Sequence, residues 1–305
     1  MRPGRLVLTL ALLRARGGGA APLLDQLPSG VTSVLINIGS SLNPVLPPPE
    51  NRSVISIAFD PIVASEIRSK PRLYVVPAAV SEEGGLATMG VYNADGGSSS
   101  LLKPAMTAEW NVGFEGALPP TKIVPVLSMQ SVLEAIPPRL LLWLLKTDMQ
   151  GKDFSAVASV GSLIRRVPYI MSEVWLENLH TYEGASNDYC RDWLPYMLKM
   201  GYRPKALHGG GRAPRRTFAG ASDALTFCSQ STGRSQARRN KGVEILEADA
   251  FWVRNDTSLP PPPIFITKAA INNEAIHFGV RDIDKYNYRP GLQSGGGNVW
   301  AGRGK

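Results

Sequence analysis

The feature that most constrains this chain is a series of short, almost unbroken apolar runs, each stopped by a glycine, a proline or polar residues. Val34–Ile38 stops at Gly39, Val54–Phe59 at Asp60-Pro61 and Leu73–Val76 at Pro77. Leu141–Leu145 stops at Lys146-Thr147-Asp148, and Tyr169–Met171 at Ser172-Glu173. A strand with one face in water alternates polar and apolar residues, so runs that do not alternate belong to strands covered on both faces. Parallel sheets flanked by helices make such strands, and their ligand groups gather beyond the carboxyl ends. The pattern predicts an α/β fold with a doubly wound, mostly parallel sheet, and Phe251-Trp252-Val253 adds a late strand.

Helices fit between the runs. Asp153 is placed to cap one in which Phe154, Val157, Val160 and Ile164 recur at helical spacing, and Asn187 or Asp188 to cap one carrying Trp193, Met197 and Met200. Pro195 either kinks that second helix or marks its first turn. With 44% hydrophobic and 19% charged residues among 305, the chain has side chain enough for a sizeable core. The apolar stretch Leu6–Leu13, interrupted by Thr9, spans only eight residues, against about 20 for a bilayer crossing. Cys190 and Cys228 are too few for a disulfide scaffold and read as small buried or half-buried residues. His180, His208 and His277 show no metal-ligand spacing, so no metal site is expected.

The ends and one interior stretch read differently from the core. Residues 1–22 have four arginines, no acid and a short apolar run, the shape of a secretory signal or an organelle transit segment. Asn51-Arg52-Ser53 and Asn255-Asp256-Thr257 are glycosylation triplets that fit a secretory route. Residues 203–241 hold nine Lys or Arg against Asp223 alone, a surplus equal to the net +8 of the whole chain. The part over 208–241 is rich in Gly, Ser and Arg and reads as a flexible, disordered basic loop interrupting a domain over 31–256. A polyanion-binding arm is the competing reading, but Phe218 and Phe227 are its only aromatics, so nucleic acid is not expected as a partner. Residues 257–305 form an irregular Pro- and Gly-rich extension.

Several strand ends carry chemistry. Gly39 is either an ordinary tight turn or a place where backbone approaches a ligand. Asp60 either binds a ribose diol or caps a helix beginning at Pro61. Ala79 and Val80 leave the core after the third run. Asp148 and Glu173 are carboxylates at adjacent strand ends, able to orient a hydroxyl or take its proton. Lys146 offers Asp148 a structural ion pair instead.

In order, Ile36-Asn37-Ile38-Gly39, Ala58-Phe59-Asp60-Pro61, Val75 to Ser81 with Gly84 or Gly85, Ser98 to Leu101, Lys146 to Gly151 and Ser172-Glu173-Val174 resemble the FkbM-type methyltransferases. The resemblance covers about residues 31–206. It implies a Rossmann-like seven-stranded sheet and an S-adenosylmethionine-dependent transfer of methyl to a hydroxyl of a small molecule or glycan. It implies cofactor contacts at Asn37, Gly39, Ser40, Asn43, Asp60, Pro61, Ala79 and Val80, with Asp148 and Glu173 as catalytic carboxylates. The chain departs from the family at Asn37 and near Gln130, where acids are usual, and at Asn43, where a glycine is. Pro44, Pro47, Pro48 and Pro49 occupy the place of a helix start, and only 13 residues separate Gly39 from Ser53. A Rossmann-like binding protein that has lost catalysis is therefore the alternative.

Overall fold

A computed structural model describes residues 27–40, 44–48, 50–62, 72–92, 98–105, 120–176, 182–209, 215–231 and 247–262. Its strands are β1 (Ser33–Ile38), β2 (Val54–Phe59), β3 (Leu73–Val76), β4 (Ala79–Ser81), β5 (Gly85–Gly90), β6 (Thr121–Ser128), β7 (Leu141–Thr147), β8 (Tyr169–Trp175), β9 (Tyr202–Gly209), β10 (Arg215–Thr217) and β11 (Glu247–Arg254). The α-helices among the described residues are α1 (Met129–Ala135), α2 (Asp153–Ser159), α3 (Leu194–Lys199) and α4 (Ala221–Ser231).

The class is α/β, with one large, mostly parallel sheet and a smaller one. The large sheet runs β10-β9-β11-β8-β7-β1-β2-β3. The five strands from β8 to β3 are mutually parallel. β11 is antiparallel to both β8 and β9, so β9 runs the same way as β8. Every residue of β1, β2 and β8 is buried, as strands covered on both faces require. From β1 the chain winds outward through β2 to β3, then returns to lay β7 and β8 on the other side. The order therefore reverses between β1 and β7, and the crevice where the carboxyl ends diverge is the usual place for a ligand.

The sheet has eight strands where seven were expected. The extra one, β10, lies with α4 inside residues 208–241, the stretch whose composition reads as a structureless loop. Ala224 of α4 is fully buried and Phe227 and Cys228 pack on the same cluster, spacing that marks one helix face. Cys190 and Cys228 are not separate thiols. They form a disulfide that ties α4 to the wide turn Tyr189–Trp193.

Asp153 is the first residue of α2 rather than its cap, which is Lys152. Its Oδ1 accepts the N–H of Met149 at 3.0 Å, so it fastens the preceding turn. The expected long helix ends at Ser159, and a tighter helical turn, Gly161–Arg166, carries Ile164 into the core. Asp188 does cap, accepting from the N–H groups of Cys190 and Arg191, and Pro195 falls in the first turn of α3. The smaller sheet, β4-β6-β5, packs Ala79, Met89, Val124 and Val126 into its own cluster. The extension begins by docking across the large sheet, where Tyr169 Oη donates to the Leu259 carbonyl at 2.6 Å and Trp143 Nε1 to that of Pro260 at 3.1 Å. Residues 1–26 and 263–305, with the stretch expected to be a signal or transit segment and most of the extension, lie outside the described residues. No helix among the described residues is long and apolar enough to cross a membrane.

Candidate functional site

At the reversal between β1 and β7 a cleft encloses about 480 Å³, part of it open to solvent. One wall is made of strand ends: Ile38 and Gly39 at the end of β1, Phe59, Asp60 and Pro61 at the end of β2, and Asp148, Met149 and Gln150 after β7. The facing wall is supplied by Ala79, Val80, Met89, Ser99, Leu101 and Lys152.

Of the residues singled out in the sequence, Gly39, Asp60, Pro61, Ala79, Val80 and Asp148 meet in this cleft. Gly39 has a left-handed φ of +69°, and a Cβ there would sit 1.8 Å from the Asp148 carbonyl oxygen. Its missing side chain thus allows the end of β1 to approach that of β7. Asp60 accepts the N–H of Ile62 through Oδ1 at 2.8 Å, a local turn contact, while its carboxyl group stays on the cleft wall; the helix expected after Pro61 lies outside the described residues. Ser40 is buried but does not line the cleft. Nor does Asn37, which faces the β1–β2 connection. Its Nδ2 donates to the Val45 carbonyl at 3.1 Å and to Ser56 Oγ at 2.7 Å, and its Oδ1 accepts the N–H of Val45 at 2.6 Å. Every hydrogen-bonding direction of that carboxamide but one lone pair is taken. Asn43 lies outside the described residues.

Asp148 is the exposed member of an acid group, one third of its side chain reaching solvent. Lys146 Nζ stands 3.7 Å from its Oδ2, and Gln150 Nε2 donates to its Oδ1 at 2.8 Å. The same Nε2 lies 3.4 Å from both oxygens of Glu173, so one amide spans the two carboxyl groups. Gln150 holds a left-handed φ of +52°, unusual for a residue with a side chain. Its Oε1 is 2.9 Å from the hydroxyl of Tyr182, which also reaches the Ser98 carbonyl at 2.8 Å.

Burial, reinforced by the charge of Asp148, pushes the carboxyl of Glu173 well above the ordinary glutamate value. The same two causes push Asp153 up to about 7. Asp249 on β11 faces Glu173 across the strand pair and is pushed up to about 6 by burial, against the pull of Lys146 and with the push of Asp148. Asp148 is the member of this group on the cleft wall, and Glu173 lies behind it. On the facing wall Lys152 Nζ pairs with Glu82 at 3.0 Å. Burial works against the charge of Glu82, yet hydrogen bonds from Ser155, Ser81 and Lys152 hold it at about 2.

Tyr182 and Asp249 were not singled out from sequence, and Gln150 and Ser99 stood only inside segments that carry the resemblance, without a role of their own. Gln150 follows Asp148 by two residues, and only its left-handed backbone turns it toward that carboxylate. Asp249 could have been found, since it is an acid inside the apolar run Ala248–Val253 at the end of β11 that meets the carboxyl end of β8. Among the described residues no group of three or more His, Cys, Asp or Glu is placed to hold a metal ion. In comparison with known proteins, no family model, no curated protein and no solved structure matches the chain.

Proposed function

We propose that the chain is an S-adenosylmethionine-dependent O-methyltransferase acting on a hydroxyl of a small molecule or glycan. The observation that carries the reading is the cleft at the strand-order reversal, which joins Asp60 just after β2, the apolar Ala79–Val80 wall and Asp148 just after β7. Setting aside β10, the large sheet follows the Rossmann order 3-2-1-4-5-6 with β11 inserted before the last strand. That arrangement supports the Rossmann-like sheet which the resemblance implies.

The donor set fits such a cofactor in three respects. Asp60 is a carboxylate suited to a vicinal diol. Ala79, Val80, Met89 and Leu101 offer an apolar slot for a flat heterocycle. Ser99, on the same wall, has a buried hydroxyl without a hydrogen-bond partner. When bound, the group supplies a methyl carried on positively charged sulfur. The protein's own task is then alignment of the acceptor, with the proton of its hydroxyl passing to Asp148 Oδ as the new bond forms. Lys146 and Gln150 hold that carboxylate in place, and Glu173, kept from the cleft, acts only through Gln150.

Titration calorimetry of the folded protein with S-adenosylmethionine tests the reading, and saturable heat is expected. Asp60→Ala should weaken that binding by about 1.5–3 kcal/mol, the range for hydrogen bonds to a charged group. Silence at near-millimolar ligand would favour the second reading, a binding protein without catalysis. That alternative draws on Asn37, committed to Val45 and Ser56, and on the described part of the β1–β2 connection, which holds no helix.

A further inference from the structure

We infer that Asn255 is an N-linked glycosylation site, carried on the rim of the sheet opposite the cleft, and that the chain folds in an oxidising compartment. Asn255-Asp256-Thr257 has the acceptor pattern with no proline in it. The structure puts this triplet in a tight, exposed turn directly after β11. The Asn255 side chain is exposed, its backbone N–H is tied to the Gly201 carbonyl at 2.9 Å, and Thr257 N–H returns to the Arg254 carbonyl at 3.2 Å. A glycan there needs no rearrangement of the folded chain.

Position gives the second argument. β11 runs against β8, with Val253 paired to Tyr169, so its end lies where the parallel strands begin. The cleft lies where they finish. A seven-residue strand such as β8 separates the two rims by about 20 Å at 3.3 Å per residue, and a bulky glycan would leave the cleft open.

The third argument is chemical and independent of the triplet. Cys190 and Cys228 are joined, and disulfides persist in compartments that are oxidising, the same compartments in which Asn-X-Thr is modified. Asn51, in the other triplet, also sits before a strand start on this rim. It is half-buried, however, and its Oδ1 accepts from Ser53 Oγ at 2.8 Å, so Asn255 is the better acceptor.

The full chain expressed in cultured mammalian cells provides the test, read by gel mobility before and after peptide-N-glycosidase F. The wild type should shift, and Asn255→Gln and Thr257→Ala should each abolish the Asn255 share of the shift. Thr257→Ser, which keeps the acceptor pattern, should retain it. Attachment precedes folding, so these readouts hold even for a variant that folds poorly. Mass spectrometry of alkylated wild type should find both cysteines protected until reduction. No mobility shift in the wild type, a shift untouched by Asn255→Gln, or two freely alkylated thiols would each overturn the inference.

Discussion

Gly39 illustrates how a residue flagged for one reason earns its place for another. The sequence marks it as a glycine after a buried strand, which suits a ligand loop or a tight turn equally. The geometry selects a third partner, the Asp148 carbonyl, lying where any Cβ would go. Gly39→Ala therefore combines a left-handed backbone, which costs an L-residue about 1–2 kcal/mol, with overpacking of about 1–3 kcal/mol. We expect urea unfolding to show a loss of about 2–5 kcal/mol; an unchanged midpoint would mean that the two strand ends separate freely. Asp148 itself was legible as a strand-end carboxylate; the structure shows its ion pair with Lys146 and its place on the cleft wall. The ion pair with Lys146 is long and partly solvated, so its contribution to stability is small. Asp148→Asn should accordingly leave the melting temperature nearly unchanged. If the carboxylate takes the acceptor proton, turnover falls about 10²–10⁴-fold with cofactor affinity intact. Glu173→Gln, altering an acid that lies off the cleft wall, should cost far less. Equal turnover of wild type and Asp148→Asn would leave alignment as the whole mechanism.

Strands were the most legible elements, because burial on both faces writes itself as mostly apolar sequence without a polar alternation. β2 and β3 match the apolar runs Val54–Phe59 and Leu73–Val76 end to end. The smaller sheet escaped notice for the converse reason. β5 is Gly85–Gly90, mostly exposed and without a hydrophobic rhythm, and its strand form comes from pairing with β6 rather than from its own preferences. α4 was hidden because its apolar face amounts to Ala224, Phe227 and Cys228 between basic, glycine-rich flanks. The disulfide compensates for that meagre face. It closes 38 residues, for which chain entropy predicts about 4 kcal/mol of stabilisation. Reduction, or Cys190→Ser with Cys228→Ser, should lower the free energy of unfolding by about 2–4 kcal/mol. Identical urea transitions with and without reductant would show that α4 is held by packing alone.

At the scale of the whole molecule, the basic balance conceals an acid-lined interior. The surplus of positive charge resides in residues 203–241, and of these Arg216 pairs with Asp223 at 2.8 Å and lies 5.9 Å from the ring centre of Phe218. Net charge therefore forecasts little about stability, which depends on the buried carboxyl groups behind the cleft. Asp153, pushed up to about 7, and Asp249, pushed up to about 6, bind protons in the folded state that the unfolded chain releases near its ordinary 3.8. Glu173 acts in the same sense. Where the folded state holds more protons, stability falls as pH rises. The contribution of Asp153 is fully present below about pH 4 and is lost as pH climbs through about 7. Glu82, held at about 2, has the opposite sign, but its effect is confined to pH below its ordinary 4.5. Between pH 5 and 8 this acid group lowers stability as pH rises, so its contribution should be larger at pH 5. Asp153→Asn keeps the acceptor for Met149 N–H and cannot ionise, so its unfolding free energy should vary less across this range and exceed that of the wild type at pH 8. Urea titrations of both proteins at half-unit intervals give the comparison. Parallel curves would show that Asp153 is already ionised in the folded protein, its charge held by the backbone N–H of Met149 and its neighbours.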